Sequence, residues 1–354
     1  MTERRIAGLD LARTIAFFGM LLVNFRIAMG ASEAGPGALG WVLRALEGHA
    51  AAMFVVLAGV SLTLFSKGAH HKKEIRKTLL KRSVFLFLLG LLNTTIFDAD
   101  ILHYYGIYIA LGVIFLWAPG RILVFAASSF ALAFPVLLMA FDYEKGWNWA
   151  TLTYHGFWTS DGFFRNLFFN GFHPVIPWVS FLLAGMWLGR FALSDSRVRN
   201  KMIALGGGLF LSSEAVSHLL ITLLSMKTPA PDLAIVEALV GTGPMPPMPV
   251  YLISAFGFSV GVIGFSILVA KRFSGTLWLK PFILSGQQTL TLYIAHIVLG
   301  MGLLEALGKL ENQTSSFAIV SSCVFFSICL LFVVVWRKWF RMGPFELLMR
   351  KLTG

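Results

Sequence analysis

Hydrophobic and polar positions form long blocks along this chain, and the apolar blocks recur from near the first residue to residue 336. Each block is long enough, or nearly so, to cross a hydrocarbon core of about 30 Å as a helix that rises about 1.5 Å per residue. A helix satisfies its own backbone hydrogen bonds in lipid. The pattern therefore predicts an all-α, polytopic transmembrane helical bundle of about ten helices, with residues 1–354 as a single transmembrane domain. The predicted helices are 9–28, 48–66, 83–99, 101–118, 122–141, 174–191, 202–225, 249–270, 282–304 and 316–336.

The segments 83–99 and 101–118 are the least regular pair in this pattern. Both are short, and Asp98 and Asp100 lie at the turn between them. The sequence leaves two interpretations open here: two short transmembrane helices, or a re-entrant hairpin.

Lysine and arginine residues predict the orientation of the bundle. The chain has 29 of them, and 22 fall in segments on the side of the membrane where the chain begins, whereas the opposite loops carry five. Because such residues are retained on the cytoplasmic side, we expect both termini in the cytoplasm and an even number of helices. We expect no cleavable signal peptide, because Asp10, Arg13 and Arg26 interrupt the first apolar segment.

Composition agrees with a membrane protein and explains the positive net charge. Hydrophobic residues make up 57% of the chain and charged residues 13%, with a mean hydropathy of +0.77, whereas a soluble domain is about a quarter charged. The net charge of +12 comes from charges in short loops between apolar segments. We therefore expect membrane lipids as partners and no nucleic acid.

The basic segment Ser66–Arg82 allows two interpretations. It is predicted to form a helix at the membrane surface, where basic side chains contact anionic lipids. The sharper hypothesis is a binding site for a phosphate-bearing donor, because Lys and Arg bind phosphate groups. The residues considered for that site are Lys72, Lys73, Arg76 and Lys77.

Two loops on the far side of the membrane are predicted to differ in kind. The loop 142–173 is aromatic and partly amphipathic, so we expect it to lie on the membrane as a lid or belt. The loop 227–249 is rich in Pro and Gly and is expected to be irregular.

One face of the first predicted helix is polar. Asp10, Arg13 and Asn24 fall, together with Phe17 and Met20, within an arc of about 80° when each residue advances the helix by about 100°. Because polar groups are costly in hydrocarbon, this face is predicted to contact protein. Asp10 and Arg13 are three residues apart and can form an ion pair.

Six of the eight histidines are predicted in the outer half of the membrane or in outer loops. Carboxylates and a tyrosine fall at a similar depth, and together these groups predict a polar cavity open to the outside. Asp100 and His103 can meet on one helix, and so can Glu214 and His218. The six histidines are His49, His103, His155, His173, His218 and His296, and the other polar groups are Glu47, Asp98, Asp100, Glu214 and Tyr293.

A histidine held by a carboxylate is suited to general base catalysis, to proton relay and to metal binding, and the spacing alone leaves these open. The chain contains no HExxH, Walker A or GxSxG sequence. Cys323 and Cys329 lie on different sides of one predicted helix, which excludes a disulfide between them. We therefore expect no metal.

Several segments resemble one family of bacterial membrane proteins. The opening RIAGLDLARTIAFFGMLLVNF (Arg5–Phe25) is similar to the start of the YeiB-type family, whose function is unknown. Its Arg-x-x-x-Leu-Asp-x-x-Arg pattern also opens the wider transmembrane acyltransferase superfamily, which includes heparan-α-glucosaminide N-acetyltransferase. Similar segments occur at Asp100–Gly106, His173–Arg190, Ser285–Gly300 and in the tail Gly343–Gly354.

The resemblance implies acyl transfer across the bacterial inner (cytoplasmic) membrane. The donor would be cytoplasmic acyl-CoA, with acetyl-CoA the first candidate, and the acceptor an extracytoplasmic hydroxyl or amine on a sugar, a glycan or a lipid-linked molecule. Asn24 and His49 occupy positions similar to an Asn and an active His of the glucosaminide acetyltransferases, although the spacing between them is longer and AAAMF follows His49.

These resemblances assign candidate roles to individual residues. His49 would be the general base or nucleophile and Asn24 would polarise the acyl carbonyl. His296 and His103 would line the cavity, with Asp100 orienting His103. Arg13 and the four basic residues of the segment Ser66–Arg82 named above would bind the donor.

A second function remains open at this point. The same polar groups could form the substrate site of a proton-coupled transporter or exporter of a small solute. No internal repeat is evident in the sequence, which favours the acyltransferase over this alternative. The sequence also leaves open whether the chain forms a homodimer.

Overall fold

The computed structural model describes residues 5–31, 37–68, 70–229 and 232–354. Regular structure in these ranges is helical apart from one short hairpin. The helices and strands are α1 (Ala7–Ala28), α2 (Gly37–Leu46), α3 (His49–Ser66), α4 (Lys72–Asn93), α5 (Leu102–Ile114), α6 (Gly120–Ala140), β1 (Trp147–Asn148), β2 (Thr153–Tyr154), α7 (Ser160–Arg165), a π-helical turn (Asn166–Asn170), α8 (Val175–Leu188), α9 (Ser196–Ser225), α10 (Leu233–Val240), α11 (Pro249–Arg272), α12 (Lys280–Gly286), α13 (Thr289–Ala295), a second π-helical turn (His296–Met301), α14 (Gly302–Ala306), α15 (Ser315–Trp336) and α16 (Pro344–Thr353).

Within the described residues, seven helical segments are long and apolar enough to cross a membrane. An eighth span is formed if Ser160–Asn170 and Val175–Leu188, bent by 45° relative to each other, count as one. These eight correspond to eight of the ten predicted segments, so the polytopic helical membrane fold is confirmed. The count of about ten and the cytoplasmic position of the termini remain predictions. The seven straight segments are α1, α3, α6, α9, α11, α15 and the run Thr289–Ala306.

The two other predicted spans are represented by α4 and α5. Helix α4 begins at Lys72, so the basic residues 72–82 continue directly into its apolar half. The prediction of a separate surface helix over 66–82 is therefore wrong in its boundary, because Lys, Arg, Glu and Leu all favour helix and no breaker divides them. The two helices meet at Gly90, where an added Cβ would lie 2.1 Å from the backbone nitrogen of His103.

Helices α1, α3, α8 and α11 form the buried centre of the bundle. Helices α3 and α8 meet backbone to backbone at Gly185, where a Cβ would lie 2.1 Å from the carbonyl oxygen of Val56. Lipid supplies little hydrophobic force between helices, so close packing at small residues holds such pairs together.

Spans that follow one another in the chain run in opposite directions, and the bundle has two chemically different ends. At one end, Arg13 near the start of α1 bonds Ser61 near the end of α3, and α4 begins with its basic residues. We call this the basic end. At the other end, α1 finishes after Asn24 and α3 begins at His49. We call this the histidine end.

Two segments at the histidine end are more ordered than irregular loops. Asn170 anchors the segment 142–173, since its side chain accepts from the Tyr154 hydroxyl at 2.9 Å and donates to the carbonyls of Tyr143 and Lys145. The segment 227–249, predicted to be irregular, contains α10. Pro and Gly residues, which are typical of loops, flank this short apolar helix, and the sequence pattern therefore did not predict it.

Candidate functional site

A carboxylate and a histidine form a buried pair at the start of α5. Asp100 Oδ2 lies 3.3 Å from His103 Nδ1 and accepts the backbone N–H of Leu102 at 2.7 Å. Asp100 Oδ1 accepts from Asn93 Nδ2 at 2.6 Å and from the Tyr293 hydroxyl at 3.1 Å. Asp100 Oδ2 also accepts the backbone N–H of His103 at 3.3 Å. Five polar groups thus hold the carboxylate in place. The predicted i,i+3 pair is present.

The other ring nitrogen of His103 is open. Its Nε2 is buried and has no hydrogen-bond partner within the described chain. With Nδ1–H donated to Asp100, Nε2 carries the lone pair, which is the arrangement of a general base. The ring lies against Tyr104 at 3.9 Å between centroids and against Phe157 of the outer segment at 5.9 Å.

Asn24 and His296 join this pair through Tyr293. Asn24 Nδ2 lies 3.0 Å from His296 Nε2, and His296 Nδ1 bonds the carbonyl of Tyr293. The carbonyl requires the proton on Nδ1, so Nε2 accepts from the Asn24 amide. The structure therefore brings four of the five predicted catalytic residues into one connected set, in which Tyr293 bonds His296 through its backbone carbonyl and Asp100 through its hydroxyl. Those four are Asn24, Asp100, His103 and His296.

His49 belongs to a second network. Its Nε2 lies 2.9 Å from Ser254 Oγ, which in turn lies 2.8 Å from Glu214 Oε1. Its Nδ1 lies 3.0 Å from the carbonyl oxygen of Glu47. Glu214 thus bonds Ser254, and also Thr242 at 3.1 Å, instead of the predicted His218, which is exposed. Sequence reasoning missed Ser254, because an isolated serine in an apolar helix carries no signal of its partners.

A row of rings connects the two histidine networks. Four buried polar atoms along it lack a hydrogen-bond partner within the described residues: His103 Nε2, His173 Nδ1, Trp178 Nε1 and Tyr251 Oη. Each such atom costs about 1–3 kcal/mol when unpaired, so the four together make this row a candidate place for a polar ligand. We call the side chains of the residues in this row the aromatic row. The centroids of successive rings are separated by 3.9 Å for His103–Tyr104, 5.9 Å for Tyr104–His173, 4.6 Å for His173–Trp178, 6.1 Å for Trp178–Tyr251 and 5.6 Å for Tyr251–His49.

Sequence reasoning placed His173 in this region but missed Trp178 and Tyr251. Aromatic residues near helix ends are common at membrane interfaces, and their burial is a property of the assembled bundle. Trp178 and Tyr251 are each 0% exposed.

At the basic end, Arg13 is engaged in an ion pair. Its Nη1 lies 2.5 Å from Asp10 Oδ1 and its Nη2 donates to Ser61 at 2.8 Å. Asp10 also accepts from Arg5 at 2.7 Å and from Gln287 at 3.3 Å. The predicted Asp10–Arg13 pair is present, and it fastens α1 to α3 and to the start of the late helices.

A cleft of about 540 Å³ opens at the basic end, where the end of α3 and the start of α4 line it. Lys72 lines it and lies over the Trp117 ring at 5.2 Å, with Arg76 over the same ring at 5.0 Å. Lys73 and Lys77 are exposed on α4 and do not line the cleft. Three further basic residues do, and sequence reasoning did not assign them to a donor site: Lys67, His70 and Arg190.

Two protein-family models match this chain and together span nearly all of it. The model of the family described as "Heparan-alpha-glucosaminide N-acetyltransferase, catalytic" matches residues 5–213, more than half of the chain. The chain belongs to this family. A second model, described as a protein of unknown function (DUF418), matches residues 202–354. The expected family resemblance is thereby confirmed, and no curated protein sequence matches the chain.

The two matched regions contribute to one site. The N-acetyltransferase catalytic match contains Asn24, His49 and the Asp100–His103 pair, whereas the DUF418 match contains Tyr293 and His296. Family membership indicates a membrane protein of acyltransferase type. No group of three or more His, Cys, Asp or Glu side chains able to hold a metal occurs among the residues that the structure describes.

Proposed function

We propose that this protein transfers an acyl group from acyl-CoA, bound at the basic end, to a hydroxyl or amine acceptor at the histidine end. The observation that supports this most strongly is the Asp100–His103 pair. The Nε2 atom of His103 is buried and has no hydrogen-bond partner within the described residues, and the fixed Asp100 carboxylate orients its ring. Acetyl-CoA is the first candidate donor, and the name of the family suggests an amino sugar as acceptor.

His103 acts as the general base in this proposal. Its Nε2 takes the proton of the acceptor O–H or N–H while the acceptor atom bonds the acyl carbon and the thioester C–S bond breaks. Asp100 stabilises the imidazolium that forms. The thiolate of CoA then takes up a proton, so that one proton leaves the acceptor for each thiol released. A positioned base contributes about 10²–10⁴-fold to the rate.

The aromatic row supplies donors for the reacting carbonyl. Trp178 Nε1 and the Tyr251 hydroxyl are buried N–H and O–H groups without partners in the described chain. Such preorganised donors stabilise an oxyanion more strongly in a dry site than in water.

This proposal changes the roles suggested by the family resemblance. Both nitrogens of His49 are already bonded, to the Glu47 carbonyl and to Ser254, so we assign His49 a supporting role and not that of direct base. The amide of Asn24 bonds His296, and we assign it the task of orienting that ring.

The cleft at the basic end is the proposed donor site. Lys72 and Arg190 line it from two elements, and the Nε of Arg190 has no hydrogen-bond partner within the described residues. Positive side chains at such a cleft attract the phosphates of CoA. Arg76 and the exposed Lys73 and Lys77 add positive charge beside the cleft. Arg13 is held in its ion pair with Asp10 and does not line the cleft.

We place the protein in the bacterial inner membrane with the basic end in the cytoplasm, because positive residues are retained on that side. A transporter function receives no support from the family comparison. Solute uptake into proteoliposomes driven by a proton gradient, without acyl transfer, would support the transporter function instead.

Substitution of His103 tests the proposed base. With acetyl-CoA as donor and glucosamine as acceptor, we expect His103→Ala to lower kcat by about 10²–10⁴-fold. His49→Ala should lower kcat less, because the Asp100–His103 pair remains intact.

His155→Ala is the matched control, since His155 is an exposed histidine at the same end of the bundle. Its turnover should equal that of the wild type. Undiminished turnover of folded His103→Ala would contradict the assignment.

A further inference from the structure

The hydrogen bonds of His49 determine where its protons lie. Its Nδ1 lies 3.0 Å from a carbonyl oxygen, that of Glu47, which can only accept, so Nδ1 carries a proton. Its Nε2 contacts Ser254 Oγ at 2.9 Å, and the same oxygen contacts Glu214 Oε1 at 2.8 Å. The single hydroxyl proton of Ser254 therefore serves one of two contacts, and the other contact needs a proton from His49 or Glu214.

Two protonation states satisfy every contact. In the first, neutral His49 accepts from the Ser254 hydroxyl, and a protonated Glu214 donates to Ser254 Oγ. In the second, His49 is an imidazolium whose Nε2–H donates to Ser254 Oγ, and Ser254 donates to the Glu214 carboxylate. The states differ by one proton shifted along each hydrogen bond, and the net change is one proton moved between Glu214 and His49.

We propose that Ser254 relays a proton between His49 and Glu214. His49 and Ser254 are 1% and 0% exposed, whereas Glu214 is partly exposed on α9 and is also held by Thr242 of the segment that precedes α11. The relay thus leads from the buried end of the aromatic row towards the surface of the histidine end.

The surroundings of His49 favour this exchange over simple packing. The rings of Phe210 and Phe258 stand edge-on at 5.7 and 5.6 Å, and Tyr251 at 5.6 Å forms the third wall. An apolar enclosure strengthens the remaining polar contacts. The other titratable groups of this region are Glu47, whose carbonyl bonds Nδ1, Arg26, which acts on the Glu47 carboxyl, and His218, which follows Glu214 by one turn of α9.

The relay deepens the proposed function and rests on it for its use in catalysis. His103 takes one proton from the acceptor in each turnover and must release it before the next, and a group that exchanges protons at the histidine end serves that release. Ser254 and Glu214 are therefore inferred as positioning residues for proton exchange, without contact to the substrate.

The first test does not depend on activity. Infrared spectroscopy follows the protonated-carboxyl band of Glu214 as pH varies, and Glu214→Gln identifies that band by removing it. When Ser254 is present, we expect His49→Gln to shift the midpoint pH of this band by about one pH unit or more. In the Ser254→Ala background, the same His49→Gln change should leave the midpoint in place.

Two variants control this cycle. Ser259→Ala removes another buried hydroxyl of α11, one that bonds only the carbonyl of Ala255. This variant should leave the coupling between His49 and Glu214 intact, so that His49→Gln still shifts the midpoint. Ser254→Thr keeps a hydroxyl and should restore the coupling. Coupling that persists unchanged in Ser254→Ala would overturn the relay, because His49 and Glu214 would then interact through space alone.

The second test measures acyl transfer. Ser254→Ala should lower kcat and shift its pH profile while leaving KM for acetyl-CoA unchanged, and Ser259→Ala should match the wild type. A wild-type protein without acyl transfer would contradict the proposed function, and the infrared cycle would still decide the relay. An active Ser254→Ala with an unaltered pH profile would contradict its catalytic use.

Discussion

At the scale of single residues, the chemistry depends on which nitrogen of each histidine is free. His296 and His49 have both ring nitrogens bonded, whereas His103 has one bonded to Asp100 and one open. A histidine with a carboxylate on one side and a free lone pair on the other is suited to accept a substrate proton. The three rings are therefore expected to respond differently to substitution.

The charge of Asp100 should matter more than its bulk. Asp100→Asn keeps the size but removes the charge that stabilises the His103 imidazolium, so we expect kcat to fall by at least about 10²-fold. KM for acetyl-CoA should stay within about twofold, because the proposed donor cleft lies at the other end.

Asp98→Asn serves as the control, because Asp98 is exposed on the same turn. A thermal melt of each variant separates loss of the base from loss of the fold. Equal kcat values for folded Asp100→Asn and Asp98→Asn would contradict the role of the carboxylate.

At the scale of helices, the tail of the chain supports the helix that carries Tyr293 and His296. Glu346 of α16 accepts the backbone N–H groups of Leu290 and Thr291 at 2.8 and 3.1 Å and the Thr291 hydroxyl at 2.5 Å. These bonds satisfy free N–H groups at the start of α13, as a capping side chain does. The tail segment Gly343–Gly354, noted for its family resemblance, thus has a structural function.

Glu346→Ala should lower the free energy of unfolding by about 1–3 kcal/mol, since it leaves partly buried donors without a partner. The measurement is a thermal or denaturant melt in detergent, with Glu305→Ala as control because Glu305 is exposed on α14. Equal stability of the two variants would show that the cap contributes nothing.

The same carboxyl predicts a pH dependence. Burial raises the pKa of Glu346 above its ordinary value of 4.5, and the hydrogen bonds from Thr291 offset part of that rise. A folded pKa above the unfolded one means that the folded protein binds this proton more tightly. The contribution of Glu346 to stability is therefore largest below 4.5 and decreases as pH rises through the raised pKa. Glu346→Gln should remove this part of the pH dependence, and an identical stability profile in Glu346→Gln would contradict it.

A contact could be predicted from the sequence only when its two residues lie close together along the chain. Apolar segments and the Asp100–His103 pair are local, so periodicity and i,i+3 spacing were sufficient to find them. Ser254 meets His49 and Glu214 from distant helices, and helix order around a bundle is not encoded in periodicity. The start of α4 differs from the predicted boundary for another reason, because charged residues interrupt a hydropathy pattern although they favour helix.

At the scale of the whole molecule, the bundle separates a basic end from a histidine end. The cleft with Lys72 and Arg190 lies at the first, and the aromatic row lies at the second. One half of the site comes from the region matched to the N-acetyltransferase catalytic family and the other from the DUF418 region. Each region alone would therefore lack residues that the proposed chemistry needs.

The cleft should control donor affinity and leave the chemical step intact. Replacing both Lys72 and Arg190 by alanine is expected to raise KM for acetyl-CoA by about 10–100-fold, because each charged contact is worth about 1.5–3 kcal/mol and exposed charges are partly screened. The kcat value should change little, as expected for loss of uniform binding.

Lys201→Ala is the control for the cleft variants, because Lys201 is an exposed lysine near the start of α9 and outside the cleft. Higher salt should raise the KM of the wild type towards that of the double variant. A double variant with wild-type KM would exclude this cleft as the donor site.

The most direct measurement uses proteoliposomes with acetyl-CoA, labelled on its acetyl group, supplied only at the basic end and glucosamine only at the histidine end. For the wild type, we expect labelled acetyl on glucosamine together with one free CoA thiol per transfer, and for His103→Ala a transfer rate at least about 10²-fold lower. Wild-type protein that leaves the label on CoA, or His103→Ala that transfers it at the wild-type rate, would contradict the proposal that this bundle is an acyltransferase with His103 as its base.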